Sequence, residues 1–278
     1  MANGRLGLRT RPGLIRSYTE ITSGDADANA FVAAAGLTDA TQKNAINQLV
    51  VDLKAYSIWT KMKAIYPFVG GTADTHKWNL KDARDTDSAF RLSFSGGWTH
   101  ASTGAKPNGT TGYANTFITP STHSSQNSSH LSFYSRTNST GDGMNIGQIQ
   151  TVPGLRGFHM AISFGLNSNQ MRTRLNSENA STSYTPTDTR GLFSISRINS
   201  SEYKGFRNAS NVFTFTEASN TPGNIQMIIG AINTTDGVSN YSTHECAFAT
   251  IGDGLTDTEV SDLYTAVNTF QTTLSRNV

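Results

Sequence analysis

The chain has 278 residues, with 22 basic and 20 acidic side chains and a formal net charge of +2. A charge this close to neutral gives no field that would attract nucleic acid, so we expect no nucleic-acid partner. Hydrophobic residues make up only 36% of the chain, and serine, threonine, asparagine and glycine are abundant. This mixture is typical of a β-sandwich with many solvated turns, and the length allows one such domain with appendages.

The sequence predicts neither a secretory signal nor a membrane anchor. The arginine-rich N-terminus is not followed by an apolar stretch, and no segment is long and apolar enough to span a bilayer. The single cysteine, Cys246, has no partner for an intrachain disulfide, which argues against a secreted disulfide framework. We therefore expect a protein made in a cytoplasm, with no membrane partner.

Residues 1–36 are predicted to form an extended basic arm, because they show no hydrophobic periodicity. Such a segment is either a plain tail or an arm that becomes ordered against a neighbouring subunit, and the sequence leaves both interpretations open. In the second case, four arginines would make the assembly contacts: Arg5, Arg9, Arg11 and Arg16.

Residues 37–70 are predicted to be a helical assembly segment. Thr38 or Asp39 can cap a first helix, and Gln42 follows Asp39 by three residues. A second helical piece is predicted from four apolar residues at helical spacing: Ile58, Trp59, Met62 and Ile65. We expect these helices to pack either on the sandwich or on a neighbouring subunit, with Trp59 as an assembly residue.

From residue 71 onward, about ten short strands alternate with polar turns, the pattern of a sandwich or barrel. The alternation is clearest at Phe158, Met160, Ile162 and Phe164. The other predicted strands cover residues 90–94, 106–116, 130–136, 171–175, 192–198, 203–207, 212–215, 226–231 and 245–251. Long helices between the strands, which a parallel sheet needs, are not predicted. A final helix over 256–275 closes the predicted domain, residues 71–278, and begins with the capping-box pattern Thr256-x-x-Glu259.

Three landmarks follow one another in the order of the second half of a concanavalin A-like, laminin-G-like jelly roll. They are the segments 203–208 (YKGFRN), 227–230 (MIIG) and 251–259 (IGDGLTDTE). They resemble the family's hairpin, its glycine-ended strand and its exit into the C-terminal helix. The chain departs from the pattern at Ala209, where the family has glycine. The resemblance implies a mainly β fold, an antiparallel lectin-type jelly-roll sandwich, with the N-terminal arm and helical segment as additions.

Some enzymes of this fold hydrolyse glycans, which requires two carboxylates flanking the scissile bond. In the family's hydrolases these carboxylates lie at alternate positions of one strand, where they face the same side. No two acids of the strand region lie within four residues of each other: Asp142, Glu178, Asp188, Glu202, Glu217, Asp236 and Glu245. We therefore expect no catalytic residues, and a pair from different strands remains the alternative.

The sequence also lacks the usual metal and nucleophile patterns. The six histidines do not have zinc-ligand spacing, and neither a nucleophile elbow nor a phosphate-binding loop is present. Asp25, Asp27 and Asn29 imitate the start of a calcium loop, but the glycine and the final glutamate of such a loop are missing. Cys246 lies in an apolar alternating strand and is expected to be an inert core thiol. We expect no metal and no cofactor.

Glycan binding is the remaining chemistry, because aromatic rings stack on sugars and arginines can reach a ligand. The candidate ligand-binding residues are Trp98, Tyr113, Tyr134, Arg136, Tyr203 and Arg207. Each aromatic residue taken alone is better explained as part of the core or of a cross-strand pair.

The whole combination resembles phage virion proteins that carry a laminin-G-like module. The resemblance implies a non-enzymatic structural or appendage protein of a head or tail fibre or a decoration protein, located in the virion. Its partners would be other virion proteins through residues 1–70, further copies of itself in a homo-oligomer, and a glycan of the host surface. A bacterial carbohydrate-binding module is the first alternative, and a glycan hydrolase of the concanavalin A-like fold is the second.

Overall fold

The computed structural model describes residues 24–278. The α-helices in this part of the chain are α1 (Ala26–Ala34), α2 (Ala40–Ala55), α3 (Ala73–His76), α4 (Pro120–His123) and α5 (Asp257–Thr273). Short 3-10 helices span Trp59–Lys61, Asp87–Ala89 and Gly165–Asn167. The strands are β1 (Met62–Tyr66), β2 (Ser93–Ser95), β3 (Trp98–Ala101), β4 (Gly104–Pro107), β5 (Tyr113–Asn115), β6 (Ser129–Ser135), β7 (Ile146–Gln150), β8 (Arg156–Phe164), β9 (Gln170–Ser177), β10 (Ser181–Tyr184), β11 (Gly191–Arg197), β12 (Glu202–Arg207), β13 (Ser210–Thr216), β14 (Ile228–Ile229), β15 (Ile232–Thr234), β16 (Gly237–Ser239) and β17 (Cys246–Gly252).

Two sheets pack face to face, which confirms the predicted mainly β sandwich. Sheet 1 has the strand order β13-β12-β11-β6-β17-β4-β3, and β1 also pairs with β17. Sheet 2 has the order β10-β9-β8-β7-β14-β5-β2, and the hairpin β15–β16 joins it at β7. The strands pair antiparallel except for the short parallel contact between β15 and β7.

The core between the sheets follows from the alternation of apolar residues along the strands. Phe158, Met160 and Ile162 of β8 share one buried cluster with Leu131 and Phe133 of β6. Burying side chains of this size contributes roughly 1.5–3 kcal/mol each. The alternation ends at Phe164, which belongs to a separate cluster because the register shifts between Ala161 and Phe164. The prediction that the alternating apolar residues of β8 share one face is therefore wrong for Phe164, the last of them.

Helices α1, α2 and α5 cover the other face of sheet 1. Phe31 of α1, Leu49 of α2 and Leu263 of α5 join Phe206 and Phe248 of the sheet in a second core cluster. The sequence left open whether the predicted helices pack on the sandwich or on a neighbouring subunit, and the structure shows that they pack on the sandwich. None of the helices within residues 24–278 is long and apolar enough to cross a membrane.

The second helical piece predicted around residues 58–65 was wrong in its larger part. Residues Met62–Tyr66 form β1, in which Ile65 lies opposite Thr250 of β17. Met62, Ile65 and Tyr66 recur at a spacing that also suits a helix, and pairing with the sheet decides between the two. Sheet 1 thus includes part of residues 37–70, the segment that was predicted to be a helical assembly segment.

Trp59 was predicted to be an assembly residue, but it packs inside the molecule. Only 7% of its surface is exposed. The ammonium groups of Lys54 and Lys81 lie 5.3 and 4.4 Å from its ring centroid, within the distance of a cation–π contact. A neighbouring subunit therefore cannot use this ring without displacing contacts that the chain makes with itself.

Helix α1 lies within the segment predicted as an extended arm, so that prediction was wrong for residues 26–34. Asp25 caps the helix by accepting a hydrogen bond from the Asp27 amide at 2.9 Å. Both carboxylates pair with the Lys54 ammonium, at 2.7 and 2.6 Å. The acidic start that imitates a calcium loop is thus a helix cap tied to α2. The predicted assembly arginines lie outside the described residues: Arg5, Arg9, Arg11 and Arg16.

The other local predictions agree with the structure within a few residues. Asp39 caps α2 by accepting from the Gln42 amide at 2.8 Å, and Thr256 with Glu259 forms the capping box of α5. Among the strands, residues 90–94 pair only from Ser93, since Phe90 takes a left-handed conformation with φ of 59°. Residues 106–116 divide into β4 and β5, and the strand predicted over 226–231 shortens to β14.

Candidate ligand-binding groove

Two of the predicted ligand-binding aromatics are buried and cannot stack on a sugar. Tyr134 and Tyr203 are each 1% exposed. The Tyr134 hydroxyl accepts a hydrogen bond from the Val278 amide at 3.0 Å. The Tyr203 hydroxyl donates to the Thr173 carbonyl at 2.9 Å. Each ring fills a core and satisfies its polar end internally, so the prediction was wrong for both residues.

The other four predicted residues do not form a single site. Trp98 and Tyr113 lie together at one side of the sandwich, where the Trp98 indole nitrogen donates to the Tyr113 carbonyl at 3.2 Å. Arg136 donates to the Arg276 carbonyl at 2.9 Å and lies 3.5 Å from Glu245. Arg207 is on β12, at the opposite side of sheet 1 from β3, and contacts Asp188 at 3.4 Å.

A groove of about 290 Å³ lies on the face of sheet 2 that points away from the core. Its floor is apolar, and includes Phe164 at the end of β8 and Ile232 of β15. Leu166, in the turn after β8, forms part of the rim and is 82% exposed. The register shift in β8 that turns Phe164 away from the inter-sheet core therefore also supplies this floor.

Three nitrogen-bearing side chains project from neighbouring strands into the groove. His159 of β8 lies directly opposite Arg174 of β9, and Ala161 lies opposite Arg172. Directly opposed residues of an antiparallel pair share one face, with their β-carbons about 4.5–5.5 Å apart. The strand pairing thus brings His159, Arg172 and Arg174 together around the small side chain of Ala161.

Arg174 is held in place by its stem and by a single hydrogen bond. A β-carbon at Gly157 would lie 2.2 Å from Cδ of Arg174, so the stem occupies the space that the glycine leaves. The one hydrogen bond that Arg174 makes within residues 24–278 is donated by its Nε atom to the Glu178 carbonyl, at 2.9 Å. Burial, followed by the positive charge of Arg172, lowers the pKa of the Arg174 guanidinium to about 10.

His159 is fully buried beside these arginines, at 0% exposure. Neither ring nitrogen has a hydrogen-bond partner among the described residues. The Gln148 backbone lies close enough to favour the charged ring slightly, but its geometry falls short of a hydrogen bond. Burial, and then the charges of Arg174 and Arg172, lower the pKa of His159 well below its ordinary value. The ring is therefore neutral, with one donor and one acceptor nitrogen.

Arg172 links the charged part of the groove to the apolar part. Its guanidinium carbon lies 5.6 Å from the ring centroid of Phe164, a cation–π distance. The groove thus presents positive charge and an apolar surface side by side, above the buried ring of His159. The residues that line it in the described part of the chain include no carboxylate.

A second cluster resembles a catalytic triad but is closed to substrate. The His244 Nε2 atom lies 3.7 Å from Asp142 Oδ2, and the Ser135 hydroxyl lies 3.4 Å from His244 Nδ1. Asp142 also accepts hydrogen bonds from the Thr243 amide and from the Ser242 hydroxyl. His244 and Ser135 are 0% exposed, so the cluster fixes the loop before β17 and has no reachable nucleophile. Among the described residues, no group of three metal-ligating side chains is present.

Part of the groove was accessible to sequence reasoning and was missed. The strand predicted over residues 171–175 places Arg172 and Arg174 on one face, opposite Met171 and Leu175, because side chains alternate along a strand. Two arginines on one face of a strand whose other face begins and ends with an apolar residue are the available signal. The position of His159 opposite Arg174 depends on the pairing of β8 with β9, which the sequence does not specify.

No protein-family model matches the chain, and no curated protein matches it. Among solved structures, a Trypanosoma rangeli sialidase mutant with trans-sialidase activity superposes with a TM-score of 0.54 at 10% identity, over 81% of this chain. This chain spans 39% of that sialidase. Domain 4 of AbnA, an extracellular arabinanase of Geobacillus stearothermophilus solved with arabinotriose, gives a TM-score of 0.49 at 16% identity, covering 73% of this chain and 98% of that one. These neighbours are β-sandwich domains of glycan-processing proteins, and at such identities the likeness to the sialidase shows the fold alone.

Proposed function

We propose that this protein is a non-enzymatic glycan-binding β-sandwich, and that its ligand lies in the groove of sheet 2. The observation that carries the proposal is the arrangement of the groove, in which the guanidinium of Arg174 lies beside the apolar surface of Phe164 and Leu166. Within the described part of the chain, the two terminal nitrogens of this guanidinium have no hydrogen-bond acceptor, so they are available to a ligand oxygen.

The rest of the groove suits a sugar. Leu166 and Phe164 offer an apolar surface to the carbon face of a sugar ring, and the nitrogen-bearing side chains lie beside it. Small-molecule sites combine a mainly apolar lining with a few converging polar groups, in volumes from about 300 Å³ upward. A volume of about 290 Å³ is at the low end of that range and suits one or two sugar units.

Binding without hydrolysis fits the residues around the groove better than glycosidase activity does. Glycoside hydrolysis requires a pair of carboxylates on either side of the scissile bond. The groove lining in the described residues contains none. The alternative of a glycan hydrolase therefore has no support from the geometry of this groove.

A glycan array probed with the full chain tests the proposal, followed by calorimetry on the best ligand. Leu166→Ser should weaken binding at least fivefold with little change in melting temperature, because this side chain is 82% exposed. Val152→Ser is the matched control, since Val152 is an exposed apolar residue that does not line the groove. Equal effects of the two substitutions would place the ligand elsewhere, and failure to bind any glycan would overturn the proposal.

The finer proposal is that the sandwich belongs to a phage particle and that its N-terminal region attaches it there. It is supported by the sequence resemblance to virion proteins with laminin-G-like modules. The burial of α1 and α2 against sheet 1 confines an attachment role to exposed parts of this region and to the residues before α1. A bacterial carbohydrate-binding module remains the alternative and would use the same groove.

Light scattering on the full chain and on a deletion of residues 2–23 tests the assembly role. The deletion ends before α1, which begins at Ala26, so the sandwich and its helices are left intact. We expect a defined oligomer for the full chain and a folded monomer for the deletion. Two monomers would rule out an assembly arm and favour the binding module.

A further inference from the structure

We infer that the glycan bound in the groove is an acidic saccharide, whose carboxylate pairs with Arg174. The inference rests on the proposed function and adds the chemical class of the ligand. It follows from a comparison of Arg174 with the other deeply buried arginines of the described chain and from the residues that surround it.

Arg197 and Arg276 show how this chain stabilises a buried guanidinium. Every nitrogen of Arg197 donates to a backbone carbonyl, and its partners include Leu175 and Glu217. Every nitrogen of Arg276 is likewise engaged, by four carbonyls and the Gln271 side chain. Burial of a charged group is stable only when its donors are satisfied in this way.

Arg174 is 8% exposed, yet only its Nε atom has a hydrogen-bond acceptor among residues 24–278. No carboxylate in that part of the chain lies within ion-pair distance of it, whereas exposed arginines such as Arg84 and Arg190 do have such a partner. Its two terminal nitrogens are therefore left for a ligand. A planar pair of N–H donors matches the two oxygens of a carboxylate.

The surroundings of Arg174 favour an anion over a neutral group. Arg172 is the other charged residue of β9, and no acidic side chain lines the groove in the described residues. The apolar floor lowers the local dielectric, which strengthens the attraction for a negative group.

A carboxylate on a sugar comes from either a uronic acid or a sialic acid, and the experiment distinguishes them. Calorimetry on the full chain compares trigalacturonic acid with its methyl ester, and the methyl glycoside of N-acetylneuraminic acid with its own methyl ester. Each ester keeps the size and hydroxyl groups of its acid and removes the charge. We expect one of the two acids to bind at least tenfold more tightly than its ester.

Arg174→Met should abolish the preference for the acid over its ester, while keeping an apolar stem across Gly157. Arg190→Met is the control, because Arg190 pairs with Asp188 outside the groove. The comparison of acid with ester uses the unaltered protein and so remains decisive even where Arg174→Met fails to fold. If acid and ester bind equally, or only neutral glycans bind, the inference is overturned and the proposed function stands. If no glycan binds, both are overturned.

Discussion

Gly157 and Arg174 share one space on the outer face of sheet 2: a β-carbon on the glycine would lie 2.2 Å from Cδ of the arginine. Gly157→Ala should therefore push the Arg174 stem out of its position and turn its terminal nitrogens away from the groove. We expect calorimetry to show that affinity for the acidic glycan falls at least tenfold. The melting temperature should change little, because the Arg174 side chain can move aside without displacing backbone.

Gly154→Ala is the control for this substitution. Nothing lies within 4 Å of a β-carbon built at Gly154, and its backbone is not left-handed. If Gly157→Ala binds like the unaltered protein and like Gly154→Ala, the position of Arg174 does not determine binding.

The fold was predictable because its signals are local. The alternation at Phe158, Met160 and Ile162 gave the core face of β8, and the capping box of Thr256 with Glu259 gave the start of α5. The groove was less predictable because it depends on long-range pairing. The register shift that turns Phe164 outward leaves no mark in the local pattern, which continues the alternation without interruption.

The wrong predictions have similar causes. Met62–Tyr66 has an apolar spacing compatible with a helix, and only its pairing with β17 makes it a strand. Tyr134 and Tyr203 looked like candidates for sugar stacking, and whether a strand residue faces solvent depends on which layer covers that face. Here helices cover one face of sheet 1 and sheet 2 covers the other.

His130 should make the fold sensitive to acid. Its ring is fully buried, its Nδ1 donates to the Asp253 carbonyl at 2.6 Å and its Nε2 accepts from the Thr250 hydroxyl at 3.0 Å. Burial lowers its pKa to about 4. The unfolded state therefore binds a proton at a higher pH than the folded state, so the stability contribution is complete above pH of about 6.5 and is lost as the pH falls towards 4.

Between pH 7.5 and 5.0 this group alone should lower the free energy of unfolding by about 2 kcal/mol. Urea unfolding of the unaltered protein and of His130→Gln at both pH values gives the loss of unfolding free energy between them. This loss should be smaller in His130→Gln by about 2 kcal/mol, whatever the stability of the variant at pH 7.5. Thr122→Ser, at an exposed residue whose side chain does not titrate, is the control and should leave the loss unchanged. An unaltered pH dependence in His130→Gln would contradict the assignment.

Arg276 should be among the most sensitive positions for stability. It is 1% exposed and donates to the carbonyls of Pro67 and Phe68, at 2.7 and 2.8 Å, and of Ala247 at 3.0 Å. It thereby ties the end of the chain to the segment after β1. Arg276→Met keeps the stem but leaves these carbonyls unsatisfied, and we expect a loss of about 3 kcal/mol or more in urea unfolding. Arg84→Met, at a surface arginine, should change stability by less than about 0.5 kcal/mol.

Asn208 lies in the turn between β12 and β13, directly before Ala209. It takes a left-handed conformation with φ of 57°, and its side-chain oxygen accepts from the Leu192 amide at 3.0 Å. Asn208→Gly removes only the hydrogen bond, because glycine adopts a positive φ without strain. Asn208→Ala removes the bond and adds the left-handed strain of about 1–2 kcal/mol.

We therefore expect the free energy of unfolding to fall by about 1 kcal/mol in Asn208→Gly and by about 2–3 kcal/mol in Asn208→Ala, measured by urea denaturation. The order of the two variants is the informative result, since both lose the same hydrogen bond. Equal stabilities would mean that the turn relaxes to a negative φ in Asn208→Ala. In that case the left-handed conformation of residue 208 would not determine the register of β12 against β13. In that register Arg207 lies opposite Ser210.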